Sequence, residues 1–302
     1  RHSLALKSDG TLWAWGQNLY GQLGDGAVMR RTIPVRVREL GGVAAAAAGE
    51  RHSLVLKNDG AVWEWGGSYV PGTTGRPTPP AEVSGLADVK AISAGWGSAA
   101  LRRDGTVWTW GTEWQPAPAP IEGLEGVVAV GGPLVVKRNG TVWELRRYPT
   151  ATPAQVPGLD GIVSVAVAGL YLALKDDGTV WQWGEWGYDG LFPDPLIRRA
   201  EPMQVSGLTG IVAIAAGDIQ AALKRDGTVW EWTGRAMPGQ RSGLNGVTAI
   251  AVGGNYSLAL KRDGTVWAWG SNHSGQLGDG TTTPRSMPVQ VAGLTEVAAI
   301  TA

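Results

Sequence analysis

The fold is decided by the stretch Lys7-Ser8-Asp9-Gly10-Thr11-Leu12-Trp13-Ala14-Trp15-Gly16, whose pattern recurs along the whole chain. The acidic or amide residue of each copy stands at Asp9, Asp59, Asp104, Asn139, Asp177, Asp226 and Asp263. A period of roughly 40 residues with one Trp-rich signature per unit is typical of a β-propeller, in which each unit is one blade. The sequence therefore predicts an all-β, seven-bladed β-propeller that forms a single domain over residues 1–302.

Each repeat has the pattern of four short antiparallel strands, and the seventh copy shows it well. Residues 247–252 are an apolar inner strand, 256–261 a second strand, 265–269 a third and 288–291 an outer strand. Asp263-Gly264 stands between the second and third strands, where Asp-Gly favours a two-residue type I′ hairpin. These signals predict blades of four antiparallel strands.

The two ends of the chain predict a closed ring. Residues 1–7 match residues 51–57, so the first copy starts in the middle of a unit. Residues 296–302 match segments such as 210–216, which precede the second strand in other copies. We therefore expect the C-terminal strand to complete the first blade and to remove the open edges of the array.

The paired Trp residues of each third strand indicate packing. Residues i and i+2 of a strand lie on one face of its sheet, so each pair points toward one neighbouring blade. The fourth copy has Leu145 in the second Trp position and keeps that position apolar. His2 and His52 occupy equivalent repeat positions and are predicted to be structural, whereas His273 lies in a loop and is expected to be solvated.

The motifs support a resemblance to a known family. The blocks His-Ser-Leu-Ala-Leu-Lys-x-Asp-Gly, Thr-Val-Trp-Ala-Trp-Gly and Asn-x-x-Gly-Gln-Leu-Gly-Asp-Gly resemble the regulator of chromosome condensation repeat. The resemblance covers essentially the whole chain and implies a seven-bladed propeller. Its family includes exchange factors for a small GTPase, bacterial β-lactamase inhibitor proteins and bacterial scaffolds, so it implies little about function. The style of the repeat leads us to expect a bacterial origin.

One face of the predicted propeller is variable. The hairpin face carries the hairpins between the second and third strands, with Asp-Gly or Asn-Gly in every copy. The opposite, variable face carries the loops between the third and fourth strands (the third–fourth loops) and the turns between the first and second strands (the first–second turns). These loops and turns differ between copies. Divergent loops on a regular scaffold are where function usually lies, and aromatic residues and Arg are enriched in protein interfaces. The predicted partner-binding residues are Glu50, Tyr69, Trp96, Trp114, Arg147, Tyr148, Tyr171, Trp186, Tyr188, Phe192, Asp218 and Tyr256.

Composition and motifs narrow the classes of function. The 26 basic and 26 acidic residues give a net charge of zero without a basic stripe, which argues against nucleic-acid binding. No apolar run could span a bilayer. The chain has no Cys, which removes disulfides and thiolate chemistry but leaves the cellular compartment open. The sequence contains no zinc-binding motif, phosphate-binding loop, dinucleotide-binding fingerprint or Gly-x-Ser-x-Gly motif. Two segments, Asp25-Gly26 and Asp279-Gly280, resemble fragments of a calcium-binding loop but lack its other ligands. We expect no enzymatic activity, no cofactor and no bound metal.

Three functions remain open at this stage. The first is a monomeric, non-enzymatic scaffold that binds another protein with its variable face. The second is a carbohydrate-binding propeller, because exposed Trp and Tyr beside carboxylates also suit sugar rings, although lectins tend to repeat their site. The third is an exchange factor for a small GTPase, although the inserted wedge of such relatives is missing here.

Overall fold

The computed structural model describes residues 2–38, 40–67, 78–112, 115–145, 152–184 and 201–302, which form seven four-stranded antiparallel sheets. Blades 1 to 3 contain β1 (His2–Lys7), β2 (Leu12–Gly16), β3 (Arg31–Arg36); β4 (Val43–Ala48), β5 (His52–Lys57), β6 (Val62–Gly66), β7 (Thr78–Glu82); β8 (Val89–Ala94), β9 (Ser98–Arg102), β10 (Val107–Trp110) and β11 (Ala119–Pro120). Blades 4 and 5 contain β12 (Val127–Gly131), β13 (Leu134–Lys137), β14 (Val142–Glu144), β15 (Ala154–Gln155); β16 (Ile162–Val167), β17 (Tyr171–Lys175), β18 (Val180–Trp183) and β19 (Met203–Gln204). Blades 6 and 7 contain β20 (Ile211–Ala216), β21 (Gln220–Lys224), β22 (Val229–Trp232), β23 (Gly239–Gln240); β24 (Val247–Val252), β25 (Tyr256–Lys261), β26 (Val266–Gly270) and β27 (Arg285–Gln290).

The C-terminal strand β28 (Val297–Thr301) is the innermost strand of blade 1. It pairs antiparallel with β1, with Ala5 opposite Ile300 and Leu4 opposite Thr301. It also contacts the inner strands β24 and β4 of the two neighbouring blades. The predicted seven-bladed fold and its closure by the C-terminal strand are therefore confirmed.

The hydrophobic core lies between neighbouring blades. One cluster, for example, joins Leu4, Leu6 and Val37 of blade 1 to Val55 and Trp65 of blade 2. Among the described residues, no helix is long or apolar enough to cross a membrane.

The hairpin between the second and third strands differs from the predicted two-residue turn. In the hairpin of blade 7, Gly264 has a positive φ of 76° and Asp263 does not, whereas a type I′ turn needs two such residues. Gly264 N–H donates to Lys261 O at 3.0 Å, and Lys261 N–H donates to Thr265 O at 2.9 Å. This is a three-residue loop in which a type I turn is followed by a left-handed Gly. The type I′ prediction was therefore wrong. Asp-Gly is compatible with both the two-residue type I′ loop and this three-residue loop, which contains one residue more.

In blades 2 to 7, the first Trp of the third strand is half-buried and lies beneath a basic side chain. In blade 6, Lys224 Nζ lies 4.4 Å from the centre of the Trp230 ring. Trp230 Nε1 donates to Thr228 Oγ1 at 3.2 Å, and that hydroxyl donates to Asp226 Oδ1 at 2.6 Å. The hydrogen bonds from Thr228 lower the pKa of Asp226, because they stabilise its charged form. The hairpin motif therefore stabilises its own loop.

The second Trp is buried at the junction with the preceding blade, as the packing interpretation predicted. Trp65 of blade 2 is fully buried, and its Nε1 donates to Gln22 O of blade 1 at 2.9 Å. Ser53, which pairs with Trp65 across β5 and β6, donates to the same oxygen at 2.8 Å. We call this arrangement, a Trp and a cross-strand partner donating to one residue of the preceding blade, the interblade clamp.

A loop carbonyl accepts the interblade clamp at two junctions. Gln22 O serves the junction of blades 1 and 2, and Gln276 O serves the junction of blades 7 and 1. Gln276 O accepts Trp15 Nε1 at 2.8 Å and Ser3 Oγ at 3.1 Å. Both Gln residues belong to the third–fourth loops with the sequence Gly-Gln-Leu-Gly. The loop backbone must therefore keep its shape at these junctions.

A side chain of the third strand accepts the indole N–H of the second Trp at three other junctions. Glu64 accepts Trp110 Nε1 at 2.7 Å, and Gln182 accepts Trp232 Nε1 at 2.9 Å. Glu231 accepts Trp269 Nε1 at 3.0 Å and Ser257 Oγ at 2.6 Å. All three acceptors stand between the two Trp positions of their strand, where blades 1 and 7 have Ala14 and Ala268.

Blade 4 has Leu145 where other blades have the second Trp, and therefore no indole N–H at this position. The preceding blade 3 has Thr109 at the acceptor position rather than Glu or Gln. The missing donor and the missing long acceptor thus occur at the same junction.

The two N-terminal histidines are buried in this polar layer, as predicted. His2 Nε2 lies 2.7 Å from Ser53 Oγ, and His52 Nε2 lies 3.0 Å from Ser98 Oγ. Their exposed fractions are 1% and 5%. Burial lowers the pKa of both imidazoles, because protonation would place a charge in the core. His273 is exposed.

Every blade has a Pro at the same register of its outer edge, within the outer strand in blades 1, 2 and 7 and directly before it in blades 3 to 6. These residues are Pro34, Pro80, Pro118, Pro153, Pro202, Pro238 and Pro288. In each blade the residue three positions later donates its N–H inward to the third strand, as Val291 does to Val266 O at 2.9 Å. Because N–H directions alternate along an extended strand, the Pro nitrogen lies on the free edge.

We expect Glu231→Ala to lower the free energy of unfolding by roughly 3 kcal/mol, because it leaves a buried indole N–H, a hydroxyl and Arg241 without their acceptor. Arg241 Nε donates to Glu231 at 2.9 Å. Glu231→Gln should cost less, because Gln182 serves the same junction geometry with an amide oxygen. Urea denaturation gives both values. The exposed Glu82→Ala is the control, and an equal loss in Glu231→Ala and Glu82→Ala would contradict the role of the clamp.

We expect His52 to contribute to a loss of stability on mild acidification. Its folded-state pKa is lowered, so below about pH 6.5 the unfolded chain binds the proton more readily and the free energy of unfolding falls. His52→Gln should therefore reduce the drop in urea midpoint between about pH 7.5 and 5.5. His273→Gln, at an exposed loop position, should keep the wild-type drop. If both variants follow the wild type, His52 does not titrate on unfolding.

Candidate functional site

The variable face combines the first–second turns with the third–fourth loops. The turns follow the inner strands, and some are bonded to the turn of the next blade. Glu50 N–H of blade 2 donates to Gly95 O of blade 3 at 3.1 Å, and Asp218 N–H of blade 6 donates to Gly254 O of blade 7 at 3.0 Å. Neighbouring turns are thereby held at fixed separations on this face.

Five of the predicted partner-binding residues lie in the described part of the chain. Glu50 is exposed, Trp96, Tyr171 and Asp218 are half-buried, and Tyr256 is fully buried. The other predicted residues lie outside the described residues: Tyr69, Trp114, Arg147, Tyr148, Trp186, Tyr188 and Phe192.

Glu50 and Trp96 are brought together by the bonded turns of blades 2 and 3. Trp96 directly follows Gly95, whose carbonyl accepts the N–H of Glu50. The exposed Glu50 and the half-buried Trp96 therefore stand on two turns whose backbones are hydrogen-bonded to each other. Tyr171 has a different environment, because its ring packs edge-on against Trp183 with 5.5 Å between the ring centres.

The assignment of Tyr256 to the partner-binding surface was wrong. Its exposed fraction is 0%, and its hydroxyl donates to His2 O at 2.7 Å and accepts from Ser3 Oγ at 3.0 Å. The signal was present in the repeat, since Tyr256 stands five residues before Lys261, as His2 does before Lys7. Alignment of the copies would have placed it in the buried histidine position.

Sequence reasoning also missed three exposed apolar residues in the third–fourth loop of blade 1. Leu19, Val28 and Met29 have exposed fractions of 67%, 45% and 68%. They were overlooked because this loop keeps the family pattern and only aromatic and charged residues were considered. A position-by-position comparison of the first and seventh copies could have found them.

One cluster superficially resembles a hydrolase triad. Ser98 Oγ lies 3.0 Å from His52 Nε2, and Glu64 Oε1 lies 3.9 Å from the same nitrogen. A triad needs the carboxylate on the other ring nitrogen, where it orients the imidazole, and a nucleophile that substrate can reach. Ser98 is only 4% exposed. The geometry is therefore that of a buried structural network.

The two Asp-Gly loop segments use their carboxylates internally. Asp25 accepts from Asn18 at 3.1 Å and from Arg31 Nε at 2.7 Å. Asp279 repeats these bonds with Asn272 and Arg285, at 3.1 and 2.8 Å. Within the described ranges, no group of three or more His, Cys, Asp or Glu residues is placed to hold a metal ion.

Comparison with known families identifies the repeat. Two models of the regulator of chromosome condensation repeat match the chain, one over residues 9–56 and 263–302 and the other over residues 247–276. No curated protein sequence matches the chain.

Solved structures with the same fold include three clear examples. Prp20p from Saccharomyces cerevisiae, described together with its binding to Gsp1p and histones, superposes with a TM-score of 0.79 at 19% identity, over 96% of this chain and 88% of that one. The yeast protein bound to Kap60 gives 0.78 at 19% identity, over 96% and 85%. Human WBSCR16 gives 0.72 at 20% identity, over 96% and 93%. At these identities the likeness concerns the fold alone. The chain is thus a closed seven-bladed β-propeller whose residues 9–56 and 247–302 match the regulator of chromosome condensation repeat.

Proposed function

We propose that this protein is a non-enzymatic scaffold that binds another protein with its variable face. The observation that carries the proposal is the contrast between the two faces. Every blade has the hairpin motif of Lys or Arg followed by Asp-Gly or Asn-Gly on one face, whereas the loops and turns of the other face differ from blade to blade. A surface that differs at each blade suits one asymmetric partner better than a repeated small ligand.

The bonded turns of blades 2 and 3 are the best described part of this surface. They place the exposed Glu50 and the half-buried Trp96 on one pair of hydrogen-bonded turns. A Trp with a polar rim is a typical interface hot spot. The predicted loop residues from Tyr69 to Phe192 would extend the same face.

The fold comparison supports a protein partner as the class of ligand. Prp20p has this fold, and its reported partners are the proteins Gsp1p, histones and Kap60. The partner of the present chain is not identified by that likeness, because the identity is only 19%.

The proposal can be tested with a photo-crosslinking amino acid at Glu50, and at Asn58 as the matched control on the hairpin face of the same blade. In lysate of the source organism, position 50 should crosslink a discrete protein and position 58 should not. Excess wild-type propeller should compete with the crosslink. For the purified partner, Trp96→Ala should weaken binding by about 2 kcal/mol, or roughly thirtyfold.

Two other results would contradict the proposal. Equal crosslinking from positions 50 and 58 would mean that the variable face is not selective. Binding to a glycan array that Trp96→Ala abolishes, without a protein crosslink, would identify a carbohydrate-binding surface instead. The melting temperature of Trp96→Ala must be measured alongside, because the indole is half-buried.

A further inference from the structure

The third–fourth loops of blades 1 and 7 are built on the same scaffold. In blade 1, Asn18 Nδ2 donates to Ala27 O at 3.0 Å and to Met29 O at 3.1 Å, and Asn18 Oδ1 accepts from Leu23 N–H at 3.0 Å. Asn272 of blade 7 repeats the three bonds, to Thr281 O and Thr283 O at 3.1 Å each and from Leu277 N–H at 3.0 Å. The two loops therefore form a natural matched pair.

The pair differs in its exposed side chains. Blade 1 presents Leu19, Val28 and Met29 where blade 7 presents His273, Thr282 and Thr283. All six residues are exposed. The polar version in blade 7 keeps the same hydrogen bonds, so the loop does not need the apolar side chains for its own folding.

Leu19, Val28 and Met29 form what we call the blade 1 patch. Asn18 joins the two segments that carry them, because its amide bonds the carbonyls of Ala27 and Met29. Ten large apolar side chains are exposed in the described part of the chain, and these three fall within eleven residues. Apolar side chains scattered singly over a surface are ordinary, but a contiguous group marks an interaction site.

The charge beside the patch is positive. Arg30 follows Met29 and is exposed, and its guanidinium donates to the carbonyl oxygen of His273 at 3.2 Å. The carboxylate of the same loop, Asp25, is already bound to Arg31 at 2.6 Å. Among the described residues, no carboxylate forms an ion pair with Arg30.

We propose that the blade 1 patch is a docking site for an acidic amphipathic peptide segment of a partner protein. Its apolar side chains would cover Leu19, Val28 and Met29, and its carboxylates would pair with Arg30. This site uses none of the residues tested at the turns of blades 2 and 3. Each of the two proposals can therefore fail without the other.

The test is selection of 12-residue peptides displayed on phage against the wild-type propeller and against the triple variant Leu19→His/Val28→Thr/Met29→Thr. The variant adopts the side chains of blade 7 and is expected to melt with the wild type. Peptides that require the patch should combine apolar residues with an excess of Asp and Glu. As synthetic peptides, they should bind the triple variant about tenfold or more weakly than the wild type.

Two controls separate the patch from general stickiness. Met237→Thr removes a side chain that is 73% exposed in blade 6, and it should leave peptide binding unchanged. Arg30→Gln should weaken the acidic peptides and reduce the dependence of their binding on salt.

The proposal is overturned if no selected peptide distinguishes the wild type from the triple variant, or if the patch-dependent peptides are neutral or basic. Sedimentation velocity tests whether the patch is instead occupied by a second copy of this chain. A wild-type dimer that the triple variant abolishes would show that the patch binds a second copy of this chain, which also contradicts the proposal.

Discussion

The structure depends on hydrogen bonds from the buried indole N–H groups of second Trp residues into the preceding blade, as at Trp15, Trp65, Trp110, Trp232 and Trp269. A buried donor without an acceptor costs more than the bond contributes, so each such Trp requires an oxygen at a fixed place. That oxygen comes either from a loop carbonyl, as at Gln22, or from a strand side chain, as at Glu231. The choice decides which part of the preceding blade can vary.

The location of the acceptor explains which loops diverge. Where Gln22 or Gln276 accepts with its backbone, the third–fourth loop keeps its Gly-Gln-Leu-Gly shape and only its exposed side chains change. Where Glu64, Gln182 or Glu231 accepts from within the strand, the loop that follows has lost this sequence. Glu144 of blade 4 is buried at the same strand position, and its loop has also diverged. Moving the acceptor into the strand thus frees the loop sequence to vary, which links the packing of the ring to the variability of its face.

Much of the fold could be predicted from the sequence, because the repeat encodes it many times over. The inner and second strands of blade 7 match the expected residues 247–252 and 256–261, and the C-terminal strand closes the ring as expected. The hairpin type could not be derived, because Asp-Gly is compatible with two turns that differ by one residue.

The candidate site was harder to predict than the fold, because the exposure of a side chain depends on neighbours that are distant in sequence. Tyr256 is buried by contacts with His2 and Ser3, more than 250 residues away along the chain. The acceptor role of Glu231 depends likewise on Trp269 of the next blade.

The Pro residues at the outer edges of the blades affect how copies of this protein can associate with one another. Seven outer strands leave seven sheet edges on the circumference, and such edges are templates for the growth of fibrils. At Pro34, Pro288 and their five equivalents, the nitrogen on that edge carries no hydrogen. A strand from another molecule would find a donor missing at the same register on every side. The circumference is therefore resistant to lateral assembly, and a crowded solution of propellers can stay dispersed.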